Sequence, residues 1–398
     1  MKAKLNGEFP LVLLGIVLTL VGGALQAQDG AGTGTGHEIS MTRVLPHATQ
    51  GVLWPPSEVA DKDGNYIVVG LVLTKTSSGD VIAVPNKSVI VDKNTVPPLD
   101  RNGHEDFTNV FGAPYKIVRE LDLRPGSPDL DMVLFTQSFG PVVGNIGIGG
   151  KAGPRSPRAG DSLFNLNGLP ATCPEVFPSP SQVGVFTRPS VPLNKVPIFG
   201  FQGGDQVAQD VVTGQLIDPH LASGPGCGTG CPGENVVDER ERPPITLGQW
   251  LSSNAEVKIT LTRFNKEVNA FTAARFDLRF KGLLPRSMYS IWSIRANVDQ
   301  PRPNFRLANP LAIPNVFITD DKGNGTFSDE VTNPFRDPAT DVQGLRLHGL
   351  AVTYHPNFQN YGACIALYAN GVDLAEVFNT FVDGTDDFTN FITKQPPR

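Results

Sequence analysis

Apolar and charged residues alternate strictly in the segment RFDLRFK at residues 275–281. Phe276, Leu278 and Phe280 alternate with charged residues, so one face of the segment is apolar and the other is charged. Successive side chains of a β-strand point to opposite faces, and a period of two is therefore typical of a half-buried strand. Because the phenylalanine face must be covered by a second layer, the segment predicts a strand of a β-sandwich.

A second strand is predicted directly after the first. Gly282 and Pro285 indicate a turn, and residues 288–294 (MYSIWSI) carry aromatic and branched side chains that suit a pleated surface. We therefore predict a β-hairpin over residues 275–296 at the centre of the sandwich.

Other segments show related patterns. Residues 255–262 (AEVKITLT) alternate like the first strand, and residues 66–74 (YIVVGLVLT) are almost continuously apolar, which predicts a strand buried on both faces. Residues 345–355 and 363–368 predict further strands. Leu374, Val377, Phe378 and Phe381 have the spacing of one helical face and predict one short helix.

Composition supports an all-β fold with few short helices. The chain has 398 residues, of which 42 are Gly and 35 are Pro, and this high share favours short strands and long loops. We predict two β-sandwich-like domains joined by a long Gly/Pro-rich loop region. The predicted segments are a signal peptide (1–27), a flexible N-terminus (28–45), an N-terminal β-domain (46–150), a loop region with cysteines (151–243) and a C-terminal β-sandwich domain (244–398).

The N-terminus has the pattern of a secretory signal peptide. Lys2 and Lys4 precede an apolar run at residues 11–20, and small residues lead to a cleavage site after Ala27. An uncleaved anchor is the alternative, since residues 9–25 give about 17 apolar positions. We expect a bacterial protein that is secreted or periplasmic, without a membrane span after cleavage.

Four cysteines fit export into an oxidising compartment. Their even number predicts disulfides, and four cysteines allow three pairings. A zinc site would need a second ligand pair at a suitable spacing, and no such pair is near. Region 151–243 is then either a linker or a set of ordered loops pinned by disulfides. The cysteines are Cys173, Cys227, Cys231 and Cys364.

Motifs of catalysis are absent from the sequence. It contains no GxSxG, HExxH or phosphate-loop pattern, although a triad dispersed along the chain leaves no fixed order. The catalytic candidates are Tyr354 and His355, with Tyr361 nearby. His348 and His355 would point to opposite faces of a regular strand and could share a metal only through a bulge at Gly349.

Two acidic turns are candidates for calcium binding. In the first, Asp320 and Asn324 match EF-hand positions 1 and 5, but Lys322 stands at position 3 and no carboxylate stands at position 12. Such residues are also those of ordinary hairpin turns. No other cofactor is predicted. The candidate residues are Asp320, Asp321 and Asn324 in the first turn, and Asp383, Asp386 and Asp387 in the second.

The C-terminal region resembles a known group of domains. The segments ITLGQW, GLLPRSMYSIW, VFITDDKGNGTF, VTYH and YGAC follow one another over about 245–370. This order is similar to exported bacterial β-sandwich domains of unassigned function, which carry a GLxPxxxYxxW hairpin and a later strand that ends in an aromatic–His pair. The resemblance implies a β-sandwich and implies no activity.

Charge and motifs together favour a non-catalytic secreted module. The net charge of −6 argues against a nucleic-acid partner. We expect a module that binds a surface, a protein or a glycan on a cell surface or matrix, or a structural component. The alternative is a secreted hydrolase or other enzyme with a dispersed site near Tyr354 and His355. A glycan binder should expose aromatic side chains, and the chain has three Trp, Trp54, Trp250 and Trp292.

Overall fold

The structure is a computed structural model, and almost all of its regular elements are β-strands, which confirms the all-β prediction. Among the described residues it contains one α-helix and three short 3-10 segments (Pro128–Asp131, Leu193–Lys195 and Thr380–Asp383). The described residues are 39–51, 56–96, 98, 99, 102, 103, 113–136, 192–196, 198, 199, 208, 209, 216, 217, 236–238, 242–267, 270–297, 307–312, 315–335, 345–356, 375–383 and 388.

The elements follow one another along the chain. The N-terminal region contributes β1 (Ser40–Val44), β2 (Val59–Ala60), β3 (Tyr66–Lys75), β4 (Val81–Val91), β5 (Ile117–Glu120) and β6 (Phe135–Thr136). The middle region contributes β7 (Ile198–Phe199), β8 (Ala208–Gln209), β9 (Leu216–Ile217) and β10 (Val236–Asp238). The C-terminal region contributes α1 (Leu247–Leu251), β11 (Asn254–Asn265), β12 (Ala270–Lys281), β13 (Met288–Asn297), β14 (Leu307–Pro310), β15 (Val316–Ile318), β16 (Gly325–Thr332), β17 (Leu345–His355) and β18 (Ala375–Asn379).

Three larger antiparallel sheets organise these strands. Sheet A has the order β1–β11–β12–β16, and sheet B has the order β14–β13–β17–β18, with β15 also paired to β13. Sheet C has the order β5–β4–β3–β2–β6. Two pairs of short strands, β7 with β10 and β8 with β9, complete the described pairing.

The alternation predicted for β12 is confirmed. Phe276, Leu278 and Phe280 are at most 2% exposed, whereas Arg275 and Arg279 are exposed. The phenylalanine face packs on sheet B, where the ring of Phe280 stacks on Phe317 with 4.5 Å between centroids. The apolar faces of sheets A and B therefore share one core, as the hydrophobic cluster that spans both sheets also shows.

The predicted hairpin over residues 275–296 is wrong, because β12 and β13 do not pair with each other. β12 pairs with β11 and β16 in sheet A, whereas β13 pairs with β14, β15 and β17 in sheet B. The turn at Gly282 thus carries the chain from one sheet to the other. A turn sequence is compatible with both connections, since pairing partners are set by distant strands.

A second crossover lies against the first. The chain passes from β15 in sheet B to β16 in sheet A through residues 319–324, and Leu283 N donates to Gly323 O at 3.0 Å. Gly323 has φ +75°, and a Cβ there would lie 1.9 Å from the backbone oxygen of Leu283. Only glycine fits this close approach of the two crossovers.

Sheet B is covered on both faces. On β13, Tyr289 and Ile291 belong to the core shared with sheet A, whereas Trp292 and Ile294 pack with Leu71 of β3 in sheet C. All described residues fall within one compact unit. Two regions were predicted as separate domains, 46–150 and 244–398, and their described residues lie in common hydrophobic clusters. The boundaries of these domains stay predictions, as does the state of residues 151–243.

The strand predicted from residues 66–74 is confirmed as β3. Its side chains are buried from Tyr66 to Leu73, with Tyr66 and Val68 in one cluster and Ile67 and Val69 in another. This two-sided burial explains why its sequence shows no alternation.

Two predictions near the ends of the chain need correction. Residues 40–44, predicted as part of a flexible N-terminus, form β1 and pair with β11 from Ser40↔Thr260 to Val44↔Glu256. Backbone pairing at a sheet edge needs little apolar pattern, and this strand was therefore not predicted from residues 40–44.

The helix predicted over residues 374–381 is the second correction, since β18 occupies Ala375–Asn379. Val352 pairs with Phe378 and Thr353 with Glu376, so Val377 is an extra, bulged residue. The bulge puts Val377 and Phe378 into the same core cluster. Two adjacent inward residues produce a spacing that resembles a helical face.

We predict that Phe280→Ala lowers the free energy of unfolding by about 3–5 kcal/mol, because it empties the stack between sheets A and B. The neighbouring Arg279→Ala, on the solvent face of the same strand, should cost less than about 1 kcal/mol. Urea denaturation of both variants measures the difference. Equal costs would mean that both faces of β12 are buried.

We also predict that Gly323→Ala is more destabilising than Gly79→Ala. Both glycines have positive φ, but nothing lies within 4 Å of a Cβ at Gly79. Backbone strain alone should cost about 1–2 kcal/mol, and the clash with Leu283 should bring Gly323→Ala to about 3 kcal/mol or more. Similar melting temperatures for the two variants would show that the crossovers are not in tight contact.

Candidate functional site

The two described residues of the predicted catalytic group lie on opposite faces of β17. Tyr354 is 1% exposed and packs edge-on against Trp250 at 5.8 Å in the core between sheets A and B. His355 points to the other face of sheet B, as strand geometry requires of the next residue. Burial raises the pKa of Tyr354, although Arg242 and a hydrogen bond with Ser287 oppose the shift. Tyr361 lies outside the described residues.

His355 belongs to a buried chain of hydrogen bonds. Trp292 donates its Nε1–H to Ser290 Oγ at 2.7 Å, and Ser290 Oγ lies 2.6 Å from Nε2 of His355. A serine beside a histidine is the geometry of an activated nucleophile, but Ser290 and His355 are both 0% exposed. Both side chains are closed off from solvent, and this run of hydrogen bonds satisfies buried polar groups and supports the fold.

A bulge does occur near Gly349, as a shared metal would require. Ile294 pairs with Gly349 and Arg295 with Leu347, which makes His348 the extra residue. Nevertheless, within the described part of the chain no three His, Cys, Asp or Glu side chains are placed to bind a metal ion together.

The first calcium candidate is a hydrogen-bonded turn. Asp320 Oδ1 accepts from the backbone N–H groups of Lys322 and Asn324, and Asn324 Nδ2 donates to Asp320 Oδ2. These bonds lower the pKa of Asp320, with the Asn324 side chain as the main cause. Asp321 forms an ion pair with Arg286, which lowers its pKa.

The same turn occurs in sheet C. Asp61 Oδ1 accepts from the N–H groups of Asp63 and Asn65, and Asn65 Nδ2 donates to Asp61 Oδ2. Both copies share the pattern Asp-x-x-Gly-Asn between two strands. The Asp and Asn residues of DDKGN therefore have a structural role as a turn.

Several predicted sites cannot be placed. The side chains of Asp383, Asp386 and Asp387 lie outside the described residues, as do the four cysteines and the predicted signal peptide. The disulfides, their pairing and the cleavage after Ala27 stay predictions.

The solvent-facing side of sheet A forms a groove of about 420 Å³. Strand pairing determines which of its lining side chains are neighbours, because directly opposed residues lie on the same face of a sheet. Glu256 lies opposite Arg279, and Lys258 lies opposite Asp277. The lining residues are Thr42, Glu256, Lys258, Arg275, Asp277, Leu278, Arg279, Thr326, Phe327 and Ser328.

The carboxylate of Asp277 is already engaged within this groove. Its Oδ1 accepts from Ser328 Oγ at 2.6 Å, and its Oδ2 accepts from Arg275 Nε at 2.9 Å. Partial burial raises the pKa of Asp277, but the bonds from Ser328 and Arg275 outweigh it and lower the pKa. Arg279 and Lys258 are the other cations in the groove.

A pair of carboxyl groups lies between sheets B and C. Glu376 on β18 is 7% exposed, and its backbone N–H donates to Glu58 Oε2 at 2.8 Å. A Cβ added to Gly51 would lie 2.7 Å from Glu58 Oε1, 3.3 Å from Glu376 Oε1 and 3.4 Å from Glu376 Oε2. Sequence analysis missed this pair, because the two residues are 318 positions apart and neither lies in a motif.

Comparison with known proteins gives no further assignment. No protein-family model matches the chain, and no curated protein or solved structure matches it. Among the helices of the described residues, none is long and apolar enough to cross a membrane.

We predict that Ser290→Ala lowers the free energy of unfolding by about 1–3 kcal/mol, because it leaves Trp292 Nε1 and His355 Nε2 without this hydroxyl in a dry site. The control is Ser78→Ala, which removes an exposed serine hydroxyl and should cost less than about 0.5 kcal/mol. Thermal unfolding followed by circular dichroism compares them. If Ser290→Ala were as stable as the wild type, the structural role of the hydrogen bonds among Trp292, Ser290 and His355 would be contradicted.

Proposed function

We propose that the protein is an exported, non-catalytic binding module that binds a protein partner through the groove on sheet A. The observation that carries this proposal is the placement of the groove on a polar sheet face that is open to solvent. Export is supported by the N-terminal sequence pattern alone.

The charge of the groove favours an anionic partner segment. Three of its side chains are cationic and two are anionic, and Arg275 and Ser328 already satisfy Asp277. Arg279 is exposed and can offer a planar, bidentate donor to a carboxylate. The whole chain has a net charge of −6, so a groove with an excess of cations is locally distinct and would select acidic segments of a partner.

A protein partner fits this surface better than a glycan. Glycan-binding faces commonly stack sugars on exposed aromatic rings, whereas the described Trp residues, Trp250 and Trp292, are both buried. The lining of the groove supplies mainly charges and hydroxyl groups, and its aromatic residue, Phe327, is buried. The enzyme alternative near His355 has no described route to solvent, which is why we favour binding.

We predict that the full-length protein binds a fluorescently labelled peptide of alternating Asp and Ser, measured by anisotropy at low salt, and does not bind the matching Lys and Ser peptide. Binding should weaken as salt is added, since exposed charges are screened over about 10 Å at 0.1 M. Arg279→Glu and Arg275→Glu should each lower affinity about tenfold, or ~1.4 kcal/mol.

The matched control is Arg124→Glu, which makes the same charge change at an exposed residue that is not among the groove's lining residues. It should leave peptide affinity unchanged. An equal loss in Arg124→Glu would show attraction by general charge and not by the groove. Binding to a glycan array that survives both groove substitutions would also contradict the proposal.

A further inference from the structure

The junction of sheets B and C depends on the short segment 46–51. Ala48 N donates to Val377 O of β18 at 3.1 Å, and Thr49 N donates to Val69 O of β3 at 3.1 Å. The side chain of Gln50 bonds to β3 as the backbone of a neighbouring strand would: its Nε2 donates to Leu71 O, and its Oε1 accepts from Leu71 N. The segment thus bridges one strand of each sheet.

Glu58 and Glu376 meet at the end of this segment. Three of their carboxyl oxygens lie within 3.4 Å of the point where a Cβ of Gly51 would stand. Among the described residues, Oε2 of Glu376 has no hydrogen-bond partner although the residue is 93% buried, given its 7% exposure. Two ionised carboxylates so close together in a poorly solvated site would repel strongly.

We propose that Glu58 and Glu376 share one proton and form a pH-sensitive clasp. The protonated clasp holds residues 56–58 against β18, and loss of the proton loosens the junction of sheets B and C. The shared proton places a donor between two groups that otherwise only accept. On release it passes to solvent, for which Glu58 is the accessible member, since it is only partly buried.

Neighbouring groups do not replace the proton. Residues 49–51 have no ionisable side chain, and Thr353 lies opposite Glu376 on β17. Val69 and Leu71 of β3 are apolar. His47 is the nearest imidazole along this segment, and burial lowers its pKa despite hydrogen bonds with the backbone of Ser253 and Val377, which disfavours its cationic form.

A calcium ion is the other way to neutralise the pair, and the site suits it less well. Calcium takes roughly six to eight oxygen ligands. The described residues place three carboxylate oxygens around Gly51, and the fourth, Glu58 Oε2, accepts from the Glu376 backbone. These oxygens are too few for calcium, whereas a single proton shared by two carboxylates needs no further ligand.

The direction of the pH dependence follows from the pKa shifts of Glu58 and Glu376. Burial, then the charge and hydrogen bonding of Glu376, raises the pKa of Glu58 well above 4.5. Burial also raises the pKa of Glu376, although its bond with Glu58 opposes this. A carboxyl with a raised folded-state pKa stabilises the fold fully below about pH 4.5, and this contribution is lost as the pH rises through the raised value.

The test is the pH dependence of unfolding of the full-length protein and of Glu58→Gln. The glutamine amide keeps an acceptor for the Glu376 N–H and adds a permanent donor for the Glu376 carboxylate, so it mimics the protonated clasp. Above pH 4.5, the unfolding equilibrium constant of the wild type should rise relative to the variant by about tenfold per pH unit until the raised pKa is passed. Glu120→Gln, an exposed carboxylate on β5, is the control and should follow the wild type.

Infrared spectroscopy gives a readout that does not depend on stability. In the pH range just above 4.5, the wild type should show the carbonyl stretch of a buried carboxylic acid, and Glu58→Gln and Glu376→Gln should each lack it. If neither variant folds, the wild-type band alone decides, and its absence would overturn the proposal. The same pH profile in the wild type and Glu58→Gln would also overturn it.

Amide exchange tests the loosening itself. After correction for intrinsic rates, β18 and residues 67–71 should exchange faster relative to β12 once the pH passes the raised pKa, and Glu58→Gln should abolish that change. Unchanged relative protection would refute a clasp. A melting temperature that calcium raises in the wild type and not in Glu58→Gln would identify a cation in place of the proton and would equally refute it.

Discussion

Burial of sheet B on both faces is the constraint on which the rest of the fold depends. Its central strands β13 and β17 have apolar residues on each side, so each side must be covered. Sheet A covers one side with the phenylalanine face of β12, and sheet C covers the other with Leu71 of β3. Two hydrogen-bonded crossovers then fix sheet A to sheet B, and Gly323 permits their contact.

This arrangement decides where polar chemistry is found. Sheet A needs only one apolar face, and its other face is free to carry the charged groove. On the side of sheet B that faces sheet C, directly paired residues form a buried polar row of Ser290, Thr353 and Glu376. Buried polar groups require partners, and the indole of Trp292 and the carboxyl of Glu58 lie against this row. One polar surface is therefore open to solvent, whereas the other joins sheets B and C.

Local patterns in the sequence were reliable where one strand face is buried. Phe276 and Phe280 could be assigned to the core because alternation is a property of the strand itself. The pairing partners of β12 and β13 could not be predicted, since they are the distant strands β11, β16 and β17. The bulge at Val377 places two adjacent residues on the inner face of β18, and their spacing in the sequence resembles that of one helical face. The carboxyl pair could not be found because only the fold brings Glu58 to Glu376.

If sheet B ties sheets A and C together, all three sheets unfold in one transition. The most direct measurement is amide exchange of the full-length protein during a urea titration, read at residues 67–73 in β3, 276–280 in β12 and 288–294 in β13. We predict one common urea midpoint for the three segments. Loss of protection in β3 at a lower urea concentration than in β12 and β13 would contradict a shared core and would indicate independently folding regions.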